Sequence, residues 1–199
     1  MIRLLKKLPR NLTVAFSGGV DSVAAVDFLR RNHDVSCAFF HHRTPNSEHA
    51  YQFVSSFCES ENIKLHVGYM NAAKPSKKSL EEHWRDERYK FLSKFDTVVT
   101  AHHLNDCIET YLWSSIHGDG KIIPYTRKNV IRPFLLNPKQ ELIDWCERKN
   151  LFWVEDYSND DDKFMRNYIR KHVVPHAYHV NPGIEKVVKR LILDANKPQ

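Results

Sequence analysis

Ser17-Gly18-Gly19-Val20-Asp21-Ser22 is a string whose residue types suit phosphate chemistry. An apolar run, Leu12 to Phe16, precedes it, and a segment from Ser22 to Arg31 with apolar residues at helical spacing follows. The string therefore turns a strand into a helix. Backbone N–H groups and the positive helix end at such a turn hold an anion. The paired glycines permit close backbone approach and positive φ, Ser17 and Ser22 supply hydroxyls, and Asp21 suits a magnesium ion or its water shell. A tight turn that only joins strand to helix is the plain alternative. The string is not a Walker loop, because no G-x4-G-K-[ST] occurs: Gly118-Asp119-Gly120-Lys121 runs into Ile122, which has no hydroxyl. No GxGxxG dinucleotide fingerprint occurs either.

Asp106 and Glu109, three residues apart, put two carboxylates on one side of a helix. A solvated acidic first turn complementing the helix dipole is the alternative. His102 and His103 stand just before them at a strand end, suited to phosphate contact or to a structural role; as neighbours on a strand they point to opposite faces, which argues against a shared metal. Arg85, Arg88 and Arg132 suit two-pronged contacts to phosphate or carboxylate, or are surface charge. Asp156, Ser158 and Asn159 suit a helix cap as well as a site. Arg166 and Arg170, four apart with Lys163 and Lys171 nearby, suit an RNA backbone or pyrophosphate, or form a solvated basic face.

The elements that position these groups alternate. Strands are expected at Leu12–Phe16, Val35–Phe40, Lys64–Tyr69 and Thr97–Ala101, and helices at Ser22–Arg31, about Glu48–Glu61, about Leu80–Ser93 and Asp106–Ile116. This rhythm predicts an α/β fold: a Rossmann-like, mostly parallel sheet with helices on both faces. Val130-Ile131 reads as an edge strand, and Pro138 opens a helix to about Lys149. An acidic loop, Asp156–Asp162, leads to a basic helix from about Lys163 to Val173, stopped by Pro175, and Pro182 opens the last helix. We divide the chain at 1–159 and 160–199, the second part a short helical appendage.

The 199 residues, 42% hydrophobic and 27% charged, suit one sizeable globular domain, and no apolar stretch approaches the roughly 20 residues of a membrane span. The N-terminus lacks a secretory apolar core, so a cytoplasmic location is expected. Cys37, Cys58, Cys107 and Cys146 form no CxxC pair, which argues against a zinc ribbon, a dithiol motif or an iron–sulfur cluster. The net charge of +6 favours a polyanionic partner without establishing one.

The glycine string resembles the SGGxDS signature of the PP-loop ATP pyrophosphatases, which cleave ATP between its α and β phosphates. Four further strings resemble the tRNA(Ile)-lysidine synthetase family within it: Trp84-Arg85-Asp86-Glu87-Arg88-Tyr89, His102-His103-Leu104-Asn105-Asp106-Cys107-Ile108-Glu109-Thr110, Arg132-Pro133-Phe134-Leu135 with Lys139 and Glu141, and Asp156-Tyr157-Ser158-Asn159 with Arg166-Asn167-Tyr168-Ile169-Arg170. They cover residues 12 to about 175. Asn105 replaces the first Asp of the family's D-D pair and Cys107 its Gln, and full-size members carry further C-terminal domains.

The resemblance implies a carbon–nitrogen ligase that adenylates the wobble cytidine of a CAU anticodon in tRNA(Ile) with magnesium-ATP. The ε-amine of free lysine then displaces AMP. It implies ATP contacts at Ser17, Gly18, Gly19, Val20, Asp21 and Ser22, with His42 and His102 beside the nucleotide. Asp106 is expected as the base toward lysine, Glu109 as its anchor and Arg85 as a third catalytic group. Arg88, Arg132, Glu141, Asp156, Asn159, Arg166 and Arg170 are expected toward substrate or RNA. Another adenylating enzyme, for thiolation or small-molecule ligation, and a non-catalytic nucleotide- or tRNA-binding protein are the alternatives.

Overall fold

The computed structural model describes residues 1–73, 75–76, 78–155 and 165–197, with the side chain of residue 81 excepted. Its six strands are β1 (Asn11–Ala15), β2 (Asp34–His41), β3 (Leu65–Tyr69), β4 (Val98–Val99), β5 (Thr126–Arg127) and β6 (Val130–Ile131). They form one sheet in the order β3-β2-β1-β4-β6-β5, parallel except for the β5–β6 pair. The chain builds outward from β1 to β3 and then returns to place β4 on the other side of β1. The crevice at the carboxyl ends of β1 and β4 is thus the switch point where such sheets bind ligands.

Period-two burial decides which helices cover which face. Leu12, Val14, Cys37 and Phe39 point into one cluster with Val23, Val26 and Leu29 of α1 (Val20–Leu29), Val54 and Cys58 of α2 (Pro45–Ser60), and Leu142 and Cys146 of α5 (Lys139–Arg148). Ala38, between two residues of that set, faces the opposite cluster with Val98, Val130 and Leu92 of α3 (Leu80–Leu92). The sheet is covered on both faces, as the alternating pattern predicts. Asp27 fastens α1 to α5: it is buried and accepts from Arg30, Arg31 and the Trp145 indole, and although burial acts to raise its carboxyl, those donors hold it below the usual range.

The sequence expectations need correction at two elements. Val130-Ile131 is not an edge strand, because the two-residue β5 pairs on its outer side through a turn with Lys128 at φ 56°. Pro175 does not stop the basic helix. A short α6 (Met165–Tyr168) passes into a π-helical segment (Ile169–Val173) and then into α7 (Val174–Val180), with Pro175 in its first turn. Proline lacks an N–H and crowds the preceding turn. The wider π turn, in which the Val174 amide donates to the Ile169 carbonyl, absorbs that demand without ending the helix.

The expected appendage packs on α4 (Leu104–Ile116): Ile184, Val188 and Ile192 of α8 (Ile184–Asp194) share an apolar cluster with Leu104, Cys107 and Ile108. The expected boundary at 159/160 and the acidic loop lie outside the described residues. Among the described residues, no helix is long and apolar enough to cross a membrane.

Candidate active site

The glycine string leaves the end of β1 as the sequence predicts. Gly18 adopts φ +85°, where a side chain would be strained and would also press on Phe53 and Val54, at 3.2 and 3.3 Å. Gly19 precedes α1 with ordinary φ, and a Cβ there would meet Ser17 Oγ at 3.7 Å and the Val154 carbonyl at 3.9 Å, ordinary contacts. Its glycine identity is therefore not demanded by the fold, and open space above the turn is what it preserves. Ser17 and Ser22 share a hydroxyl bond of 3.1 Å, and Ser22 Oγ also donates to the Gly19 carbonyl. The Gly18 carbonyl accepts from the Val154 amide, tying the chain after α5 to the rim of the turn.

Asp21 faces β4 across the crevice. Its Oδ2 lies 3.6 Å from His103 Nε2, while its Oδ1 is buried without a protein partner. An orphaned carboxylate oxygen beside a phosphate-type turn fits a cation brought in with a polyphosphate. Among the described residues no three His, Cys, Asp or Glu side chains gather as a metal site, so such a cation would take its remaining ligands from the phosphates and water.

His103 caps α4. Its Nδ1 accepts from the Asp106 amide, at 3.4 Å, and Asp106 Oδ2 accepts from the His103 amide, at 2.9 Å, a reciprocal capping box. Burial lowers the pKa of His103, but Asp106 and Asp21 on either side outweigh it and raise the value. Asp106 and Glu109 are 8% and 4% exposed, so they are not a solvated acidic turn. Arg166 donates to Asp106 Oδ1 (2.6 Å) and Glu109 Oε2 (2.9 Å), and Arg170 donates to Glu109 Oε1 (2.6 Å) and Oε2 (3.2 Å). The result is a continuous line of alternating charge: Asp21, His103, Asp106, Arg166, Glu109, Arg170.

This line changes two expectations. Arg166 and Arg170 turn their guanidinium groups onto the carboxylates instead of outward to an RNA backbone. Asp106 does not have the properties of a base: burial pushes its carboxyl up, but His103, Arg166 and His102 pull it down to about 2, and both of its oxygens are engaged. It has the features of a fixed negative anchor.

His102 lies on the other side of the strand end, sharing a 2.8 Å bond with Thr100; burial, with Arg132, Arg166 and Arg88 nearby, lowers it to about 3 despite Asp106. His42, after β2, is lowered by burial and by Arg88 to about 4, lies against Trp84 with ring centres 5.1 Å apart, and leaves Nδ1 buried without a partner. Both rings are neutral at physiological pH and can act as polar apolar-faced walls of a base pocket. Arg85 and Arg88 lie over the Tyr89 ring, and Arg132, 2% exposed, donates to the Pro124 carbonyl (2.7 Å) and the Tyr89 hydroxyl (3.4 Å). Glu141 is not brought to the crevice: it pairs with the Met1 amino group at 3.3 Å, in a cleft shared with Arg3, Lys189 and Leu193. Asp156 and Asn159 lie outside the described residues.

Two contributions escaped the sequence reading. Asn105 Oδ1 accepts from the Lys139 amide at 2.9 Å, so the residue that departs from the Asp-Asp pair caps α5, whose own N-cap is a proline with no cap bond. The task needs an acceptor oxygen, not a charge. Arg127 reaches the same Tyr89 ring, its guanidinium carbon 5.8 Å from the centre, and an isolated arginine in a two-residue strand carries no sequence signal.

A phosphate-type turn and a buried charge line meeting at the β1/β4 switch point define an ATP-binding class of α/β domain. The chain belongs to the PP-loop domain family, whose model matches residues 2–177. It is 32% identical to a tRNA(Ile)-lysidine synthase of Thermotoga maritima over 201 residues, 92% of this chain and 49% of that protein. It is 31% identical to the tRNA(Ile)-lysidine synthase of Vibrio vulnificus strain CMCP6, over 93% of this chain and 47% of that one. The chain thus spans about half the length of the curated relatives it matches. An NH3-dependent NAD synthetase from Campylobacter jejuni superposes with a TM-score of 0.56 over 97% of this chain and 90% of its own, at 14% identity, a likeness of fold alone.

Proposed function

We propose that this chain carries the catalytic centre of a tRNA(Ile)-lysidine synthase, a carbon–nitrogen ligase. The observation that carries the reading is the buried pair Asp106 and Glu109, linked through His103 to Asp21 of the phosphate turn. An adenylation site and an ammonium site are thereby side by side. Magnesium-ATP sits on the Ser17–Ser22 turn with Asp21 toward the cation. The carbonyl oxygen of the wobble cytidine in a CAU anticodon attacks the α-phosphorus and pyrophosphate leaves. The ε-amine of lysine then adds to the activated ring carbon, and AMP leaves with the former carbonyl oxygen.

The self-paired residues supply both halves of an amino-acid site. Free lysine brings an ammonium to the carboxylates and a carboxylate to the arginines, exchanging four ion-pair partners with no net loss of charge balance. Asp106 stays fixed by the His103 amide and supplies charge. We assign proton acceptance to Glu109, whose described partners are the partly exposed side chains of Arg166 and Arg170, whereas Asp106 is also held by a backbone amide. This reverses the expected roles of base and anchor. His42, Trp84 and His102 present neutral rings to the bases, and cytoplasmic action follows from the tRNA substrate.

Incubation with ATP, labelled lysine and a CAU-anticodon tRNA(Ile) transcript, followed by nucleoside analysis, tests the reading. Lysine in the RNA with equimolar AMP release is expected. AMP formation that depends on the RNA but puts no lysine into it would assign a different nucleophile. No AMP formation at all would leave a nucleotide- or tRNA-binding protein.

A further inference from the structure

The guanidinium groups of Arg85, Arg88 and Arg127 lie 4.9, 5.7 and 5.8 Å from the centre of one ring, Tyr89, and Arg132 bonds the hydroxyl of the same ring. Among the described residues none of the four pairs with a carboxylate. The acidic residues adjacent in sequence, Asp86 and Glu87, are taken by Lys78 and Lys90 instead. Arg132 Nε is buried with no partner. Four like charges with no ion pair among the described residues repel one another, and burial together with Arg85 and Arg166 lowers the pKa of Arg88. Such a cluster is a poor arrangement for stability alone and a good one for receiving an anion. A guanidinium held against a tyrosine face does not spend its in-plane N–H groups on that contact, and a planar fork of this kind can grip a phosphate with two bonds.

The position selects the phosphate. Arg132 follows β6 and Arg127 lies on β5, whereas the glycine turn follows β1, with β4 between. The Thr100 amide donates to the Ile131 carbonyl, so Arg132 stands beside the end of β4 that carries His102, and the cluster borders the crevice on the side away from the ATP turn. We propose that Arg127, with Arg85 and Arg88, binds a backbone phosphodiester of the RNA strand beside the nucleotide presented to Asp106 and Glu109. This deepens the lysidine synthase reading and rests on its RNA substrate. Arg132 holds the β5–β6 hairpin through Pro124 and keeps Arg127 in reach of the ring.

Phosphate contacts carry no sequence information, so Arg127 should serve any loop of the same shape. The test measures binding of two hairpin RNAs, one with a CAU anticodon loop and one with that loop permuted, across a salt series, to the wild type, Arg127→Gln and Arg127→Lys. ATP binding is measured in parallel. Arg127 is exposed, so neither variant disturbs the core. Arg127→Gln is expected to weaken both RNAs about fivefold at low salt and to flatten the salt slope by about 0.7, the value for one lost contact to a single strand, with ATP affinity unchanged. Arg127→Lys should keep most of the slope and recover part of the affinity. Unchanged RNA affinity and slope in Arg127→Gln, no RNA binding by the wild type, or a parallel loss of ATP affinity would each overturn the assignment, the last by giving the site to the nucleotide. Lysine incorporation is scored separately: its absence beside an intact Arg127 effect removes the ligase reading and leaves the RNA contact standing.

Discussion

Asp106 holds its charge by neighbours, not by solvent. Its carboxyl, brought to about 2 by His103 and Arg166 against the opposing effect of burial, compares with about 3.9 in an unfolded chain. A carboxyl depressed on folding contributes stability that is full above about pH 4 and is lost as pH falls toward 2. Asp106→Asn keeps an oxygen for the His103 amide but removes the charge facing His103 and Arg166. It is expected to destabilise the protein by about 2 kcal/mol at neutral pH, with the difference shrinking below about pH 3. Thermal melts of both proteins across pH check this, and a variant as stable as the wild type at pH 7 would contradict the anchor role. Glu109→Gln should act on the substrate instead. In single-turnover assays it should slow lysine transfer about 10²- to 10⁴-fold while ATP-dependent adenylation continues, since a neutral amide cannot accept the proton of the lysine ammonium. Loss of adenylation equal to loss of transfer would remove Glu109 from the lysine step.

At the level of elements, three glycines do different work. Gly18→Ala is strained at φ +85° and should cost about 1 to 2 kcal/mol of stability, whereas Gly19→Ala should leave the melting temperature within about a degree and weaken ATP binding by occupying the space above the turn. Equal ATP affinity in Gly19→Ala would place the nucleotide elsewhere. Gly68 on β3 allows α3 to lie close on the sheet: a Cβ there would stand 2.6 Å from the Phe91 ring carbons. Because α3 also carries Trp84, Arg85, Arg88 and Tyr89, Gly68→Ala should lower stability by about 1 to 3 kcal/mol and weaken RNA binding together. Adding Phe91→Leu should restore part of both, and a double variant no better than the single would show that α3 does not bear on Gly68 in this way. The helix that delivers Arg166 and Arg170 depends on its π-helical segment, which carries the chain through Pro175 instead of ending there.

Across the whole molecule, two histidines of the crevice, His102 and His42, are held neutral, with consequences for acid stability. Burial lowers His102 to about 3 and His42 to about 4, so the unfolded chain binds protons that the folded one refuses. Stability from both is full above about pH 6.5 and declines as pH falls toward those folded values. The melting temperature should therefore drop between about pH 6.5 and 4, and His42→Gln should reduce the steepness of that drop; an unchanged profile would show that His42 is not kept neutral by the fold. Local pattern determined a great deal of this protein. The strand, glycine turn and helix at residues 11–29, the alternation through α4, and the pairing of Asp106 with Glu109 on one helix side are fixed by spacing, since periods of two and 3.6 are properties of the backbone itself. The motif strings also sufficed to recognise the PP-loop family. What they left open was every choice made across sequence distance: that Arg166 and Arg170 face the carboxylates, that Asn105 caps α5, that Glu141 turns to the N-terminus, and that Arg127 joins Arg85 and Arg88 at Tyr89. The partner of a long charged side chain is selected by which elements fold together and by the low dielectric between them, and no window of neighbouring residues contains that information.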